Sequence, residues 1–201
     1  IKDENEVMDM MEALFVEVLS ALPKEAAAEL ALLKVKPIIP RNIPRLTMKE
    51  AKALLAKKGR KLGKDDDLDA ESERLLGELV QEKYGSEFVF VTRYPWKVRP
   101  FYHMKPEDDP AATRSFDLLF NGVEIATGAQ REHRYEILKR QAREKGLDLE
   151  KMEKYAEIFK FGIPPHGGAG LGLDRITQRL LGLENVREAV LLPRDTERVV
   201  P

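Results

Sequence analysis

The sequence predicts an α+β fold in which an antiparallel sheet is flanked by helices, within one domain. Three observations support this prediction. An apolar stripe with helical spacing opens the chain, an Asn-Gly pair joins two short apolar runs in the middle, and a glycine-rich segment near the C-terminal end leads into an apolar helix. The predicted order is therefore helices, then strands, then helices again.

Residues 3–19 are predicted to form the first helix. Apolar residues recur there at three- and four-residue spacing, which places them on one helix face: Val7, Met10, Met11, Leu14 and Val18. Pro23 is expected to start a second, alanine-rich helix over residues 24–33. Prolines at positions 37, 40 and 44 then predict an extended or looped segment.

Two more helices are predicted before the first long strand. Thr47 followed by Glu50 has the spacing of a capping box, so a helix should begin there and continue to about residue 58. Residues 70–84 form the next predicted helix, and Gly85 is expected to close it as a glycine C-cap.

The middle of the chain carries the strand signals. Residues 87–92 alternate β-branched and aromatic side chains, which predicts a strand. The apolar runs 116–120 and 123–126 are joined by Asn121-Gly122, the strongest short-range signal for a tight hairpin. Two helices, at 134–145 and 149–159, are predicted to follow.

The predicted hairpin brings two carboxylates close together. Pairing across the turn places Asp117 near Glu124, and side-chain alternation can direct both to one face. Two close carboxylates repel each other unless a cation lies between them, and Mg²⁺ suits such a site when phosphates complete its shell. The alternative is a solvent-facing pair of acids, with Arg131 as a surface ion-pair partner.

The glycine-rich segment is the most informative stretch of the chain. Residues 167–172 contain four glycines, and an acid and an arginine, Asp174 and Arg175, follow at the start of an apolar helix. Glycine lets a flat or anionic ligand approach the backbone, and a guanidinium can bind a phosphate or stack on a ring. On composition alone, the segment could equally be only a tight turn.

Together these segments resemble a known family. The order SFDLLFNGVEIATGAQREHRY, a helical pair and FGIPPHGGAGLGLDR resembles the C-terminal half of a class II aminoacyl-tRNA synthetase catalytic domain. The GLGLDR portion is similar to the third class II signature, and the terminal LLPRDTERVVP is similar to the family's usual ending. The resemblance is strongest to aspartyl-tRNA synthetases of the archaeal and eukaryotic type.

The resemblance implies an ATP site that uses Mg²⁺. Arg175 is similar to the arginine that lies over adenine and pairs with the γ-phosphate, and Glu124 to the carboxylate that holds Mg²⁺ on the ATP phosphates. Asp117 and Thr127 are expected to support the same metal. The backbone expected to pass close to the nucleotide is that of Gly172, Leu173 and Asp174.

The resemblance also implies L-aspartate as the substrate. Arg131 is similar to the residue that grips the side-chain carboxylate of aspartate, a task that suits a forked donor. Thr127 stands where these enzymes usually carry serine, which keeps the hydroxyl and narrows the pocket by a methyl group. The implied reaction forms aspartyl-adenylate from ATP and transfers the aspartyl group to tRNA(Asp), with tRNA(Asn) open as a second acceptor.

Part of the family pattern is missing from the chain. Residues 1–201 correspond to the C-terminal portion of the catalytic domain, so the fold is expected to be a class II synthetase-like core that is incomplete at its N-terminus. The first and second class signatures and the anticodon-binding barrel are absent. We therefore expect a piece of a longer, homodimeric protein that is nearly inactive alone. A naturally truncated paralogue is the alternative.

Bulk composition narrows the function only slightly. Lys and Arg number 34 against 35 Asp and Glu, so the chain is not a basic RNA-binding module as a whole. No apolar run approaches 18 residues and cysteine is absent, so we expect a cytoplasmic protein without membrane insertion. The three histidines lack the spacing of zinc ligands.

Three other functions remain open at this point. One is an asparaginyl-tRNA synthetase, against which the carboxylate-binding Arg131 argues. Another is a paralogue that amidates aspartyl-adenylate with ammonia and makes asparagine without tRNA. The last is an inactive fragment that serves only in binding or dimerisation.

Overall fold

A computed structural model describes residues 1–197, 199 and 200. Within these residues, five strands form one sheet in the order β1-β2-β3-β4-β5. The strands are β1 (Arg45–Thr47), β2 (Phe88–Thr92), β3 (Ser115–Phe120), β4 (Val123–Arg131) and β5 (His166–Leu171). Three of the four neighbouring pairs are antiparallel, and the short β1 lies parallel to β2.

The parallel pair makes the sheet mixed, whereas the sequence predicted an antiparallel one. Two helices connect β1 to β2, and a long helical connection of this kind brings the chain back in the same direction. The α+β prediction itself is confirmed, because helices flank a sheet that is antiparallel from β2 to β5.

The α-helices of the described residues lie before, between and after the strands. They are α1 (Glu4–Glu25), α2 (Ala27–Leu33), α3 (Met48–Lys57), α4 (Ala70–Tyr84), α5 (Tyr135–Glu144), α6 (Glu153–Lys160) and α7 (Leu173–Leu181). Short 3₁₀ turns occur at Trp96–Val98, Leu149–Met152 and Val186–Ala189. None of the helices in the described part of the chain has the length and apolar character that a membrane span requires.

Two predicted helix ends are confirmed in detail. The Thr47 hydroxyl accepts a hydrogen bond from the Glu50 N–H at 3.2 Å, and the Glu50 carboxylate accepts one from the Thr47 N–H at 2.8 Å. This reciprocal pair is the predicted capping box at the start of α3. At the end of α4, Gly85 adopts φ +63°, the left-handed conformation that favours glycine.

The prediction that Pro23 begins a new helix is wrong. Helix α1 continues through Pro23 to Glu25, and the helix ends at its C-cap residue, Ala26. Pro23 removes one hydrogen bond of α1 and its ring crowds the carbonyl four residues earlier, and α1 ends within the next three residues. The helix resumes at once as α2, so the prolines that interrupt helical structure are those in the segment after residue 34.

Two apolar cores lie on opposite faces of the sheet. One joins α1 to the side chains of β2 and β3, with Phe88 stacked on Phe120 at 4.2 Å between ring centroids. The other joins α3 and α4 to Val89, Val91 and Leu119 on the opposite face. Burial on both faces explains why β2 and β3 are almost continuously apolar.

The β3–β4 hairpin contains a β-bulge. Glu124 pairs with Leu119 and Thr127 pairs with Asp117, so β4 has one extra residue between these pairs. The extra residue shifts the alternation of side chains between the two faces by one position, and this shift places Thr127 on the same face as Glu124. Without the bulge, the hydroxyl of Thr127 would point to the opposite face.

Candidate active site

Strand β4 carries the three side chains predicted to bind metal and aspartate. Because of the bulge, Glu124, Thr127 and Arg131 share one face of the sheet, and Asp117 joins them from β3. The two strands together thus present two carboxylates, a hydroxyl and a guanidinium on one face of the sheet. The prediction that Asp117 and Glu124 share a face is confirmed.

Arg175 reaches back to Glu124 from the first turn of α7. Its Nη1 donates a hydrogen bond to the Glu124 carbonyl oxygen at 2.9 Å and lies 3.5 Å from the Oε1 of the same residue. Gly172, just before α7, is held by its N–H, which donates to the Ile125 carbonyl at 2.8 Å. The hydrogen bond from Gly172 therefore connects the start of α7 to β4, one residue away from the Glu124 carbonyl that Arg175 contacts.

An open cavity of about 410 Å³ lies between β4, β5 and the start of α7. The predicted site residues that line it are Glu124, Thr127, Gly172, Asp174 and Arg175. Leu173 does not line the cavity, and its side chain is exposed. Asp117 lies deeper in the sheet, and Arg131 lies further along β4.

Arg99 belongs to the site, although the sequence assigned it no role there. Its guanidinium forms an ion pair with Asp117 and donates a hydrogen bond to the Thr127 hydroxyl at 3.3 Å. The guanidinium also lies 3.7 Å from the centroid of the buried Tyr94 ring. Arg99 therefore fixes Asp117 and Thr127 relative to each other. Although burial opposes its charge, Asp117 and the other nearby groups leave the pKa of Arg99 raised.

Glu124 and its neighbour Glu73 have pKa values above those of free glutamate. Burial raises the pKa of Glu124, the charge of Asp117 raises it further, and Arg175 opposes both. Glu73 of α4 accepts a hydrogen bond from the Glu124 N–H at 3.4 Å, and burial raises the pKa of Glu73 to about 7. A cation at this position would therefore relieve an existing electrostatic cost.

The Arg131 end of β4 is lined by aromatic rings. The Arg131 guanidinium lies 5.5 Å from the centroid of the Tyr102 ring, and the backbone of Arg131 bridges to that of His103. Among the described residues, no carboxylate forms an ion pair with Arg131, and its side chain is exposed. Its exposed guanidinium can accept an incoming anion.

The donor atoms fit Mg²⁺ if a ligand supplies the rest of its shell. Glu124, Asp117 and Thr127 offer hard oxygen atoms, and the Asp117 Oδ1 is buried without a hydrogen-bond partner among the described residues. No group of three or more His, Cys, Asp or Glu side chains in the described residues could hold a metal alone. This donor set is suited to a metal that arrives with phosphates.

Comparison with known proteins gives a consistent result. The family described as tRNA synthetases class II (D, K and N) matches residues 1–196. The chain is 48% identical over 204 residues to an aspartate–tRNA(Asp/Asn) ligase of Aeropyrum pernix, of which it covers 46%. It is 50% identical over 203 residues to a ligase of the same name in Thermus thermophilus, of which it covers 47%. All of this chain is aligned in both cases, so it spans about half the length of these relatives.

Solved structures agree with this match. An aspartyl-tRNA synthetase from Entamoeba histolytica is similar with a TM-score of 0.94 and 39% identity, covering all of this chain and 42% of that one. An asparaginyl-tRNA synthetase from Pyrococcus horikoshii has a TM-score of 0.88 and 29% identity, covering 99% of this chain and 48% of that one. The family match over nearly the whole sequence and these likenesses show that the chain belongs to the class II aminoacyl-tRNA synthetases of the aspartate, lysine and asparagine group.

Proposed function

We propose that the protein containing this chain activates L-aspartate with ATP and transfers the aspartyl group to tRNA(Asp), with tRNA(Asn) as a second acceptor. The observation that carries the proposal is the convergence of Glu124, Thr127 and Arg175 on one cavity, with Arg131 further along the same strand face. The names of the Aeropyrum and Thermus relatives, which specify both tRNAs, support the choice of acceptors.

The nucleotide is proposed to lie over the junction of β5 and α7. Gly172 and Asp174 line the cavity there, and the Arg175 guanidinium offers a planar face to adenine and permanent charge to a phosphate. Leu173 contributes backbone at the first helical position. When bound with ATP, Mg²⁺ would be held by Glu124 with Asp117 and Thr127, and it would neutralise phosphate charge.

The reaction requires positioning more than a protein nucleophile. A carboxylate oxygen of aspartate forms a bond to the α-phosphorus, the bond from that phosphorus to the bridging oxygen breaks, and pyrophosphate leaves with the electron pair. Residues on one rigid strand can hold the two reactants in line, and a fixed guanidinium stabilises the charge that develops on the leaving group. A hydroxyl oxygen of tRNA then forms a bond to the aspartyl carbonyl carbon, the bond from that carbon to the phosphate oxygen breaks, and AMP leaves.

Selection of aspartate is assigned to the Arg131 end of the strand. The exposed guanidinium without a carboxylate partner among the described residues can bind the substrate side chain in a bidentate manner. Arg99 brings a second positive charge to the middle of the strand, where it already neutralises Asp117. The Thr127 hydroxyl accepts a hydrogen bond from Arg99 and lies on the same strand face as Arg131.

The remaining parts of the enzyme are also proposals. We assign residues 1–201 to the C-terminal portion of the catalytic domain of a cytoplasmic homodimer, in which the first and second class signatures and the anticodon-binding barrel come from the rest of the protein. The family match and the coverage of about half of each relative support this assignment.

Amino-acid-dependent exchange of pyrophosphate into ATP tests the proposal on the full-length protein. Exchange with aspartate, and little exchange with asparagine, is the expected result. Charging of purified tRNA(Asp) and tRNA(Asn) then identifies the acceptors. Exchange only with asparagine would favour the asparaginyl alternative, which the Pyrococcus structure keeps in consideration. Release of free asparagine from aspartate, ATP and ammonia would identify the tRNA-independent paralogue.

A further inference from the structure

A second cavity lies on the other side of Glu124, next to the hairpin turn. This turn cavity has a volume of about 440 Å³. It is lined by the first turns of α4, by the turn residues Asn121 and Gly122, and by Arg175 and Arg179 of α7. Glu124 and Arg175 line both cavities, so the turn cavity continues the site described above.

Arg179 is a residue that the proposed reaction has not used. It follows Arg175 by four residues on α7, and residues at this spacing lie on the same face of a helix. Its Nη2 donates to the Asn121 carbonyl at 3.1 Å, which ties α7 to the hairpin turn. Its Nε is buried and has no hydrogen-bond partner among the described residues. A buried donor without a partner favours an incoming acceptor.

The charges around the turn cavity define the ligand. Arg74, Arg175 and Arg179 bring three guanidinium groups, while Glu73 and Glu124 bring two carboxylates. Arg74 also forms an ion pair with Glu78 at 2.9 Å, and the Glu73 carboxylate accepts a hydrogen bond from the Glu124 N–H. The arginines would repel a bare cation, and the glutamates would repel a bare anion. A polyphosphate that carries its own divalent cation complements both sets.

We propose that Arg179 is a further binding residue for the magnesium complex of pyrophosphate, which it contacts from the hairpin side of the turn cavity. The inference rests on the proposed function, in which pyrophosphate is the leaving group of adenylate formation. As the bond to the α-phosphorus breaks, negative charge accumulates on the departing phosphate. Arg175 and Arg179, one helical turn apart, would hold that phosphate on the side of Glu124 away from aspartate.

The chain allows a matched set of variants. Arg179→Gln removes the charge, while Arg179→Lys keeps the charge and a donor for the Asn121 carbonyl but loses the forked geometry. Arg140→Gln is the control, because Arg140 is an exposed arginine on α5 whose ion pair with Glu144, at 4.0 Å, is long. Each variant is made in the full-length protein, and its melting temperature is measured first.

Calorimetric titration with magnesium pyrophosphate is the test. Arg179→Gln is expected to raise the Kd for magnesium pyrophosphate about tenfold, the usual effect of losing a charged hydrogen bond, and Arg179→Lys to raise it less. Arg140→Gln should leave it within about twofold, and the Kd for aspartate should not change in any variant. An unchanged Kd in Arg179→Gln would overturn the inference and leave Arg179 only a support of the turn. If Arg179→Gln does not fold, an unchanged Kd in Arg179→Lys overturns it.

Failure of the inference can be distinguished from failure of the proposed function. If the wild-type protein exchanges pyrophosphate with aspartate but the Kd is independent of Arg179, only the subsite is wrong. If the wild-type protein shows no exchange with any amino acid, the proposed function is wrong, and pyrophosphate then has no role as a leaving group at this site.

Discussion

At the scale of single residues, Arg131 is the side chain to which we assign the choice of substrate. It is exposed, it lies near the Tyr102 ring, and no described carboxylate pairs with it. A guanidinium held in this way has its fork available for a carboxylate, whereas a lysine would offer a single point of charge.

Arg131→Lys should weaken aspartate use while leaving ATP use intact. The loss of one charged hydrogen bond corresponds to about 1.5–3 kcal/mol, so the KM for aspartate should rise roughly 10- to 100-fold. Steady-state exchange kinetics at varied aspartate and at varied ATP measure the two effects separately. An equal rise in both KM values would mean that Arg131 acts on the fold of the site and does not bind the amino acid.

His103 predicts how stability depends on pH. Burial, and then the nearby Arg99, Arg131 and Lys145, lower the pKa of His103 from 6.5 to about 3. Between pH 6.5 and about 3, His103 therefore binds a proton in the unfolded chain but not in the folded protein. This difference makes the free energy of unfolding fall as the pH decreases from 6.5 towards 3.

The variant His103→Asn isolates this contribution. Chemical denaturation across the same pH range should show a shallower decrease in the variant than in the wild type, because asparagine takes up no proton. Parallel curves for the two proteins would show that His103 is not held neutral in the folded state.

Arg99 shows why one part of the site could not be predicted. The sequence identified Asp117 and Thr127, but the guanidinium that joins them comes from a loop 18 residues before Asp117. Nothing in the spacing of Arg99 indicates that it would stack on the Tyr94 ring and point into the sheet. Only the tertiary fold brings these groups together.

At the scale of elements, the hairpin and α4 form one packed unit. A Cβ atom added at Gly77 would lie 2.5 Å from the Gly122 nitrogen, so the helix and the turn touch through their backbones. This contact supports the turn from below and, through it, the first residues of β4. Glu124 is thus positioned by α4 as well as by its own strand.

Gly77→Ala should therefore destabilise the protein although alanine favours helices. The gain in helix propensity is about 1 kcal/mol, whereas the clash with a fixed backbone should exceed it and leave a net loss of about 2 kcal/mol. Urea denaturation measures the change. Gln81→Ala, an exposed position on the same helix, should stay within about 0.5 kcal/mol. Equal stability of the two variants would contradict the close packing.

Elements with strong local signals were predictable, and those set by pairing were not. The capping box at Thr47, the end of α4 at Gly85 and the Asn121-Gly122 turn each follow from a few neighbouring residues. The bulge in β4 depends on which residues pair across the hairpin, and the parallel direction of β1 depends on how two helices pack between strands. The periodicity of apolar residues in the sequence indicates neither the bulge in β4 nor the direction of β1.

At the scale of the whole molecule, one sheet gathers site residues from distant parts of the chain. Strands β3 and β4 supply the carboxylates, Thr127 and Arg131, while the glycine strand β5 and α7 supply the floor and Arg175. The family resemblance predicted these partners and their order. The shape of the site, with its two cavities on either side of Glu124, forms only when the strands are paired.

A crystal structure of the full-length protein with a non-hydrolysable aspartyl-adenylate analogue tests the single active site most directly. We predict that the ligand lies along β4, with its side-chain carboxylate on Arg131, its phosphate near Glu124 and Thr127, and its adenine under Arg175. Binding of the analogue elsewhere, or in this groove with Arg131 and Arg175 both out of contact, would contradict the claim that these residues form one site.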